Sequence, residues 1–234
     1  MKLKFPIATC VAAAFLIVPG SGVTAGSTPP TDSTVASASA SAHLIAAAGQ
    51  AGLRQVVLEL AIDAHARVAA AGRTSSPLLT IIDYSLPSRE RRLWVLDLER
   101  DTVLARELVA HGRSSGGDVA THFSNVPGSN QSSLGTFLTG ATYSGAHGLS
   151  LRLRGLDAGV NDNAFSRAIV IHGADYVNSD IVHSLGRLGR SLGCPALATD
   201  VAPRIIGLIK EGTVLYAYGS RTDGQTDRQP GRVG

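Results

Sequence analysis

The sequence contains few cysteines, few charged residues and few aromatic residues. It has two cysteines in 234 residues, and 17% of its residues are charged and 5% are aromatic. Hydrophobic residues make up 44%, which is enough for a buried core and excludes a disordered chain. The length suits one domain of ordinary size with some additional sequence.

The sequence also lacks an apolar run that is long enough for a comfortable membrane span. The apolar stretch Phe5–Val18 follows the basic residues Lys2 and Lys4 and precedes Val23–Ala25, which fits a signal-peptidase site. We therefore predict that residues 1–25 are a signal peptide, that the protein is exported, and that no stable membrane anchor remains after cleavage. An uncleaved anchor is the alternative interpretation.

The mature chain has no large excess of either charge. Removal of Lys2 and Lys4 lowers the number of basic residues from 21 to 19, against 18 acidic residues, so the net charge falls to about +1. No cluster of basic residues with interleaved aromatic residues is present in the sequence, so we expect no nucleic-acid partner.

The composition changes along the mature chain. Residues 26–42 are rich in Ser, Thr, Ala and Pro and predict a flexible linker. Residues 43–75 predict a helical segment packed on the main domain, because apolar residues recur every three or four positions before Gly72. This apolar stripe consists of Leu53, Val56, Val57, Leu60, Ala64 and Val68. Residues 221–234 are polar and predict a flexible tail.

Residues 76–220 predict a mainly β domain, because short apolar runs alternate with Gly, Ser and Pro. The predicted strands are Leu78–Tyr84, Leu93–Asp97, Thr102–Ala110, Gly135–Tyr143, Leu149–Arg154, Arg167–Ile171 and Thr213–Tyr218. One late helix is predicted before Gly212, with Thr199 as its cap and Pro203 in its first turn. The fold class is therefore mainly β, with a few peripheral α-helices and an N-terminal helix.

Two segments carry residues that are suited to nucleophilic catalysis. Ile169–Ala174 predicts a strand that ends at His172 and Gly173, and Gly189–Pro195 is a glycine-rich loop that contains Cys194. A cysteine nucleophile needs a base or a cation that raises its thiolate fraction, and it needs backbone N–H groups that can bind an oxyanion. A backbone carbonyl could fix the histidine tautomer in place of an acid.

Cys194 is the only thiol after signal cleavage, so no internal disulfide can form. A lone thiol in an oxidising compartment is a liability unless it has a function. The residues alone also allow a buried structural cysteine and a hydrogen-bonded structural histidine at position 172. Both interpretations stay open on this basis.

Together the two segments resemble the L,D-transpeptidase (YkuD-type) family, in which His-Gly is followed by Ser-His-Gly-Cys. They are most similar to its murein L,D-transpeptidase branch, whose loop reads Gly-Arg-Ser-x-Gly-Cys-Pro. Further similar segments between about Ala46 and Ser220 are Ile82–Ser85, Ala110–Gly112, Phe123–Asn125, Ser132–Gly135, Tyr143–Gly148 and Gly155–Asp157. The resemblance implies a β-rich sandwich or barrel of the L,D-transpeptidase catalytic type over residues 76–220, in a periplasmic protein.

The resemblance also implies an activity on peptidoglycan stem peptides. Cys194 would attack the carbonyl between the third stem residue, usually meso-diaminopimelate, and the terminal D-Ala, and an acceptor amine would resolve the thioester. His172 matches the general base, and the Gly173 carbonyl matches the group that orients it. Ser191 and Gly193 match residues of the motif, and the Gly193–Cys194 backbone is the expected oxyanion site.

The sequence departs from the wider family at two places. Leu192 replaces the second histidine of the motif, and Pro195–Ala196 replaces an arginine shortly after the cysteine. The role of that histidine is either absent here or supplied elsewhere, with His147 as the candidate. His147 is predicted to line the substrate groove, with a bond to a loop backbone as the alternative, and we expect Arg190 to bind a substrate carboxylate. Tyr143 lies in the same segment as His147 and is also expected to contact the substrate.

The remaining histidines and acids show no metal-site spacing, so we expect no metal and no cofactor. We expect His111 and His122 to be structural or exposed, and His183 to lie solvated on a helical turn. Asp175 is expected to be a surface turn residue rather than a triad acid, and Arg89–Arg92 is expected to be a solvated turn.

Three alternative functions are consistent with parts of this pattern. An L,D-carboxypeptidase would keep the fold and the nucleophile but use water as the acceptor. A papain-like cell-wall hydrolase is disfavoured, because His172 precedes Cys194 in the chain. A non-catalytic wall-binding module on a degenerate enzyme fold would have an unreactive cysteine.

Overall fold

The computed structural model describes residues 40–220 of the chain. The predicted signal peptide, most of the predicted linker and the predicted tail lie outside these residues. Between residues 40 and 220, none of the helices has the length and apolar character that a membrane span requires.

Two helices precede the sheet where the sequence predicted one helical segment. Helix α1 spans Ala42–Gln50, and helix α2 spans Gln55–Ala70. Ser41 caps α1 by accepting a hydrogen bond from the Leu44 N–H at 3.0 Å, so the last two residues of the predicted linker belong to this helix and its cap. Gly52 has a φ of +76° and turns the chain between the two helices, which glycine does without strain.

One mixed sheet contains all eight strands of the described residues. They are β1 (Leu78–Asp83), β2 (Arg91–Asp97), β3 (Thr102–Leu108), β4 (Gly135–Gly145), β5 (Gly148–Gly155), β6 (Val170–Gly173), β7 (Ala196–Leu197) and β8 (Val214–Tyr218). Their order in the sheet is β3-β2-β1-β8-β4-β5-β6-β7, and only the β1–β8 and β6–β7 pairs are parallel. A bridge between Ala110 and Ala196 joins the chain after β3 to β7, so the sheet is a nearly closed barrel. The predicted fold class is confirmed.

Helices cover the sheet from two sides. Helix α3 spans Ser179–Leu185 and has no buried residue, whereas helix α4, which packs against the sheet, spans Ala202–Ile209. Ile205, Ile206 and Ile209 of α4 are fully buried in the larger core, and burial of each contributes about 1.5–3 kcal/mol of hydrophobic free energy. A second core lies between α1, α2 and strands β1, β2 and β8.

Three local predictions differ from the structure. Strand β6 begins at Val170, later than predicted, because Ala168 has a φ of +54° and interrupts the extended backbone. Val201 is the N-cap residue of α4, and Thr199 instead donates its hydroxyl to Asp175 at 2.7 Å. The sequence pattern does not predict β7, since two residues are too few to show an alternation.

Candidate active site

His172 lies on a strand that has neighbours on both sides. It is in register with Ser150 of β5 and with Ala196 of β7, and only 4% of it is exposed. Its Nδ1 is 2.8 Å from the carbonyl oxygen of Gly173, so Nδ1–H donates and Nε2 keeps its lone pair. Burial lowers the pKa of His172 against the opposing effect of this hydrogen bond, so the imidazole is neutral at pH 7.

Cys194 lies at the backbone edge of β6, just before β7 begins. Its Sγ is 3.5 Å from the backbone N of Val170 and 3.7 Å from the carbonyl oxygen of Ala168. Because Ala196 is in register with His172, Cys194 lies opposite Val170, two residues before the histidine. Two residues of a strand span roughly 6–7 Å, so the candidate nucleophile lies about that far along β6 from the candidate base.

The sulfur of Cys194 rests as a thiol. Burial raises its pKa, and the Val170 N–H and the Arg167 guanidinium act in the opposite direction. The S–H group points to the Ala168 carbonyl as its acceptor. The sequence led us to expect a partner that raises the thiolate fraction; the structure has two such groups, but burial outweighs them in this resting arrangement.

Serine hydroxyls hold the loop around Cys194. Ser191 Oγ donates to the Cys194 carbonyl at 2.6 Å and accepts from the Gly193 N–H at 3.1 Å. Ser132 Oγ donates to the Gly193 carbonyl at 3.1 Å. Pro195 has no N–H. Over positions 193–195 of the described chain, the Cys194 N–H is thus the one backbone donor without a hydrogen-bond partner.

The chain after β3 supports the cysteine loop from its other side. The His111 carbonyl accepts the Ser191 N–H at 2.9 Å, and the Arg113 N–H donates to the Ser191 carbonyl at 2.8 Å. Gly112 forms a parallel bridge with Ser191 between these two bonds. The predicted motif residue Ser191 is therefore fixed by its backbone as well as by its hydroxyl.

The prediction of a solvated turn at Arg89–Arg92 is wrong for Arg92. Its fully buried side chain donates to the carbonyls of Leu86 and Val109, at 2.6 and 3.1 Å, and to Nδ1 of His111 at 2.7 Å. A single arginine at the start of a strand has the same sequence pattern whether it faces solvent or the interior. Burial, followed by the charge of Arg92, lowers the pKa of His111 to about 4, so His111 is a neutral structural residue.

The sequence profile of the L,D-transpeptidase catalytic domain matches residues 49–218, which include the whole site described above. The chain belongs to the L,D-transpeptidase catalytic-domain family. The resemblance drawn from the sequence is confirmed. Members of this family act on the peptides of peptidoglycan, outside the cytoplasm.

Several solved structures are similar to this chain over part of its length. An L,D-transpeptidase from Mycobacterium smegmatis has 15% identity and a TM-score of 0.39, with 61% of this chain and 58% of that chain covered. L,D-transpeptidase 3 from Mycobacterium tuberculosis, in complex with a faropenem-derived adduct, has 13% identity and a TM-score of 0.37 over 61% and 60% of the two chains. The helical cell shape determining protein Pgp2 from Campylobacter jejuni has 11% identity and a TM-score of 0.40 over 67% and 53%. The chain thus spans less than two thirds of the length of each, and no curated protein matches it significantly.

Leu192 occupies the position of the second motif histidine of the L,D-transpeptidase family, and Leu192 is 63% exposed. A different imidazole reaches the site. His147, in the turn between β4 and β5, stacks on His172 with ring centroids 4.5 Å apart. The functional role of His147 stays a prediction, but the fold brings its ring against that of His172.

The two other predicted substrate-binding residues of this L,D-transpeptidase domain have different surroundings. Tyr143 is in register with Ser150, the cross-strand neighbour of His172, so Tyr143 and His172 belong to one row across the sheet. The guanidinium of Arg152 lies over the Tyr143 ring, 4.5 Å from its centroid. Arg190 donates Nη1 to a backbone carbonyl of the loop after β3 at 2.9 Å. Substrate binding by Tyr143 and Arg190 stays a prediction.

Sequence reasoning missed two residues near the cysteine loop, Ser132 and Arg167. Ser132 lies in one of the segments that resemble the family, which is the signal that could have drawn attention to it. Arg167 precedes β6 and has no signal except its nearness to His172 in the sequence. Its guanidinium holds the loop 124–133 through hydrogen bonds to the Ser124 and Gln131 carbonyls and to the Ser129 and Ser133 hydroxyls.

The titratable residues that the sequence placed outside the site lie where we expected them. Asp175, His122 and His183 are exposed. Asp175 accepts the Thr199 hydroxyl on the surface and does not hydrogen bond to His172. Across residues 40–220, no group of three or more His, Cys, Asp and Glu side chains is arranged to hold a metal ion.

Proposed function

We propose that this chain is an exported peptidoglycan L,D-transpeptidase that acts in the periplasm, with Cys194 as nucleophile and His172 as its base. The observation that carries the proposal is the contact of Cys194 Sγ with the edge of β6, two residues from a histidine whose Nδ1–H is bound to the Gly173 carbonyl. This tautomer leaves Nε2 as the proton acceptor. The family membership supports peptidoglycan stem peptides as the substrate class.

In the first half-reaction, the thiol proton of Cys194 passes to Nε2 of His172. The thiolate then attacks the carbonyl carbon between the third stem residue and the terminal D-Ala, so a C–S bond forms and the C–N bond breaks. His172 returns the proton to the leaving nitrogen, and D-Ala departs with a free amine. Only a proton and an acyl group move, so the step requires no cofactor.

Negative charge develops on the carbonyl oxygen during this attack. The Cys194 N–H is the backbone donor suited to bind it, because the Gly193 N–H is already donated to Ser191 and Pro195 has none. At the expected oxyanion site on the Gly193–Cys194 backbone, the donor that we assign is therefore the Cys194 N–H. Ser191 supports it by holding the Cys194 carbonyl.

In the second half-reaction, an amine from a neighbouring stem attacks the thioester. A C–N bond forms, the C–S bond breaks, and the proton released by the amine returns through His172 to the sulfur. Water in place of the amine gives an L,D-carboxypeptidase with the same residues, so the exclusion of water from the thioester determines which product forms.

We assign substrate contacts to Tyr143, His147 and Arg190, with Arg152 beside Tyr143. Stem peptides carry carboxylates, and guanidinium groups bind carboxylates through paired hydrogen bonds. Arg152 and Arg190 form none of the ion pairs found between described residues. Their charges are therefore available to an anionic ligand.

The proposal is tested by incubating the native protein and a Cys194→Ala variant with disaccharide-tetrapeptides, followed by mass spectrometry. We expect a thioester adduct that has lost D-Ala on the native protein alone, together with cross-linked dimers. His172→Gln is expected to retain the fold and to lose most of the acylation. Trimmed monomers without dimers would indicate the carboxypeptidase. An absent adduct, with a thiol that iodoacetamide does not alkylate, would indicate the non-catalytic module.

A further inference from the structure

The peptide group between Gly193 and Cys194 is held by a residue from outside the cysteine loop. Ser132 is 1% exposed, precedes β4, and donates its hydroxyl to the Gly193 carbonyl at 3.1 Å. We propose that Ser132 is a positioning residue that directs the Cys194 N–H to the oxyanion formed on the substrate carbonyl. The inference rests on the proposed function, since it concerns the same acyl transfer.

The Ser132 hydroxyl has one direction in which it can donate. Its oxygen accepts the Gly112 N–H at 3.0 Å, and the Gly193 carbonyl oxygen lies 3.1 Å away on its other side. Because an N–H group can only donate and a carbonyl oxygen can only accept, the Ser132 proton lies on the bond to the Gly193 carbonyl.

The planar peptide group links the direction of the Gly193 carbonyl to the direction of the Cys194 N–H. In a trans peptide the C=O and N–H groups point in opposite directions, and the bond between Gly193 and Cys194 is trans. When Ser132 holds the Gly193 carbonyl in the interior, the Cys194 N–H points away from Ser132. Rotation of this peptide group would break that bond and disturb both bonds of Ser191 to the loop.

Ser132 is itself anchored on either side. Its own N–H donates to Ser115 Oγ at 2.8 Å, and the carbonyl of the preceding residue, Gln131, accepts Nη2 of Arg167 at 2.7 Å. A donor that is fixed before the reaction begins stabilises developing charge without a cost of reorganisation. The Ser132 bond to Gly193 is therefore suited to keep the Cys194 N–H oriented throughout acylation.

Two electrophiles separate the orientation of the N–H from the reactivity of the thiol. Iodoacetamide reacts at a saturated carbon, where a C–S bond forms, the C–I bond breaks, iodide leaves and no oxyanion develops. 4-Nitrophenyl acetate reacts at a carbonyl carbon, where an oxyanion forms before nitrophenolate leaves. We expect Ser132→Ala to slow acylation by this ester and by the disaccharide-tetrapeptide about ten- to hundredfold, less than the loss of a whole oxyanion donor. Alkylation should change less than about threefold.

Thr139→Val is the matched control. The Thr139 hydroxyl is also buried, accepts the Thr213 N–H at 2.9 Å and donates to the Thr213 carbonyl at 3.2 Å. Its hydrogen bonds therefore resemble those of Ser132, but their partner is the residue before β8 and not the cysteine loop. This variant should lose similar folding stability and keep both rates. If Ser132→Ala does not fold, Ser132→Cys keeps a weaker donor at the same position, and we expect a smaller loss of acylation with alkylation retained.

The outcomes separate this inference from the proposed function. Equal losses of alkylation and acylation in Ser132→Ala, or no loss of acylation, would overturn the positioning role. If the tetrapeptide fails to acylate the native protein while the ester still distinguishes Ser132→Ala from native, the proposed function fails and the role of Ser132 stands. Normal tetrapeptide acylation of Ser132→Ala counts against the role of Ser132 and leaves the proposed function intact.

Discussion

His147 and His172 stack with their ring centroids 4.5 Å apart and their planes inclined by 26°. His147 is exposed in the turn between β4 and β5, whereas His172 is buried on β6. Repulsion between the two imidazoles adds to the effect of burial in lowering the pKa of His172. The stacked ring thus helps to keep the candidate base neutral.

The pH dependence of acylation should reflect this lowered pKa. The neutral form of His172 accepts the thiol proton, so acylation is lost as the pH falls through the His172 pKa, which lies below the ordinary histidine value of about 6.5. The rate of acyl-enzyme formation across acidic and neutral pH measures this limb. An acid limb above the ordinary value would contradict a buried, neutral base.

Removal of the stacked ring should move the acid limb. His147→Ala exposes His172 and removes the neighbouring charge, so the pKa of His172 rises towards its ordinary value and acylation falls off at a higher pH than in the native protein. His147→Phe keeps a covering ring without a charge and should give a smaller shift. NMR titration of the His172 imidazole measures the pKa directly, and identical titrations in all three proteins would show that His147 does not influence it.

Arg167 should influence the thiol through its charge. Its Nη2 lies 3.5 Å from the position that a Cβ on Gly193 would take, and its charge lowers the pKa of Cys194. Arg167→Ala should therefore raise the thiol pKa and move the pH profile of iodoacetamide alkylation to higher pH.

Arg167→Lys keeps the positive charge but loses the guanidinium hydrogen bonds to the loop 124–133. The pH profile of its alkylation should therefore stay closer to native than that of Arg167→Ala. Arg154→Ala removes an exposed arginine of β5 and serves as the control for net charge. A profile that moves equally in Arg167→Ala and Arg154→Ala would argue for a general charge effect rather than a local one.

Two glycine substitutions should have opposite effects on stability. Gly193 has a φ of +125°, and a Cβ there would lie 2.8 Å from the Gln131 carbonyl oxygen, so Gly193→Ala should cost about 1–3 kcal/mol and reduce acylation. Gly207 lies in α4, and a Cβ there would meet no neighbouring part of the protein within 4 Å, so Gly207→Ala should stabilise the protein by about 0.5–1 kcal/mol. Urea unfolding measures both, and a stable Gly193→Ala protein would show that the loop can change its conformation.

Local patterns predicted most of the sheet. The observed ends of β1, β2, β3, β4, β5 and β8 lie within two residues of the predicted ones, because alternation and bounding Gly, Ser and Pro residues are local signals. Strand β6 shifted because its start depends on the positive φ of Ala168, and β7 exists only through its pairing with β6. The single predicted N-terminal helical segment is two helices, separated at Gly52.

Cys194 and His172 could be recognised as candidates because each lies in a short contiguous motif, one a glycine-rich loop and the other the end of an apolar strand. Folding alone decided which groups surround them. Ser132 donates a hydrogen bond to the Gly193 carbonyl, His147 stacks on His172, and the buried Arg92 donates a hydrogen bond to His111. These contacts join residues far apart in the chain, and packing and hydrogen bonding between distant segments leave no periodicity or spacing that a sequence pattern can reveal.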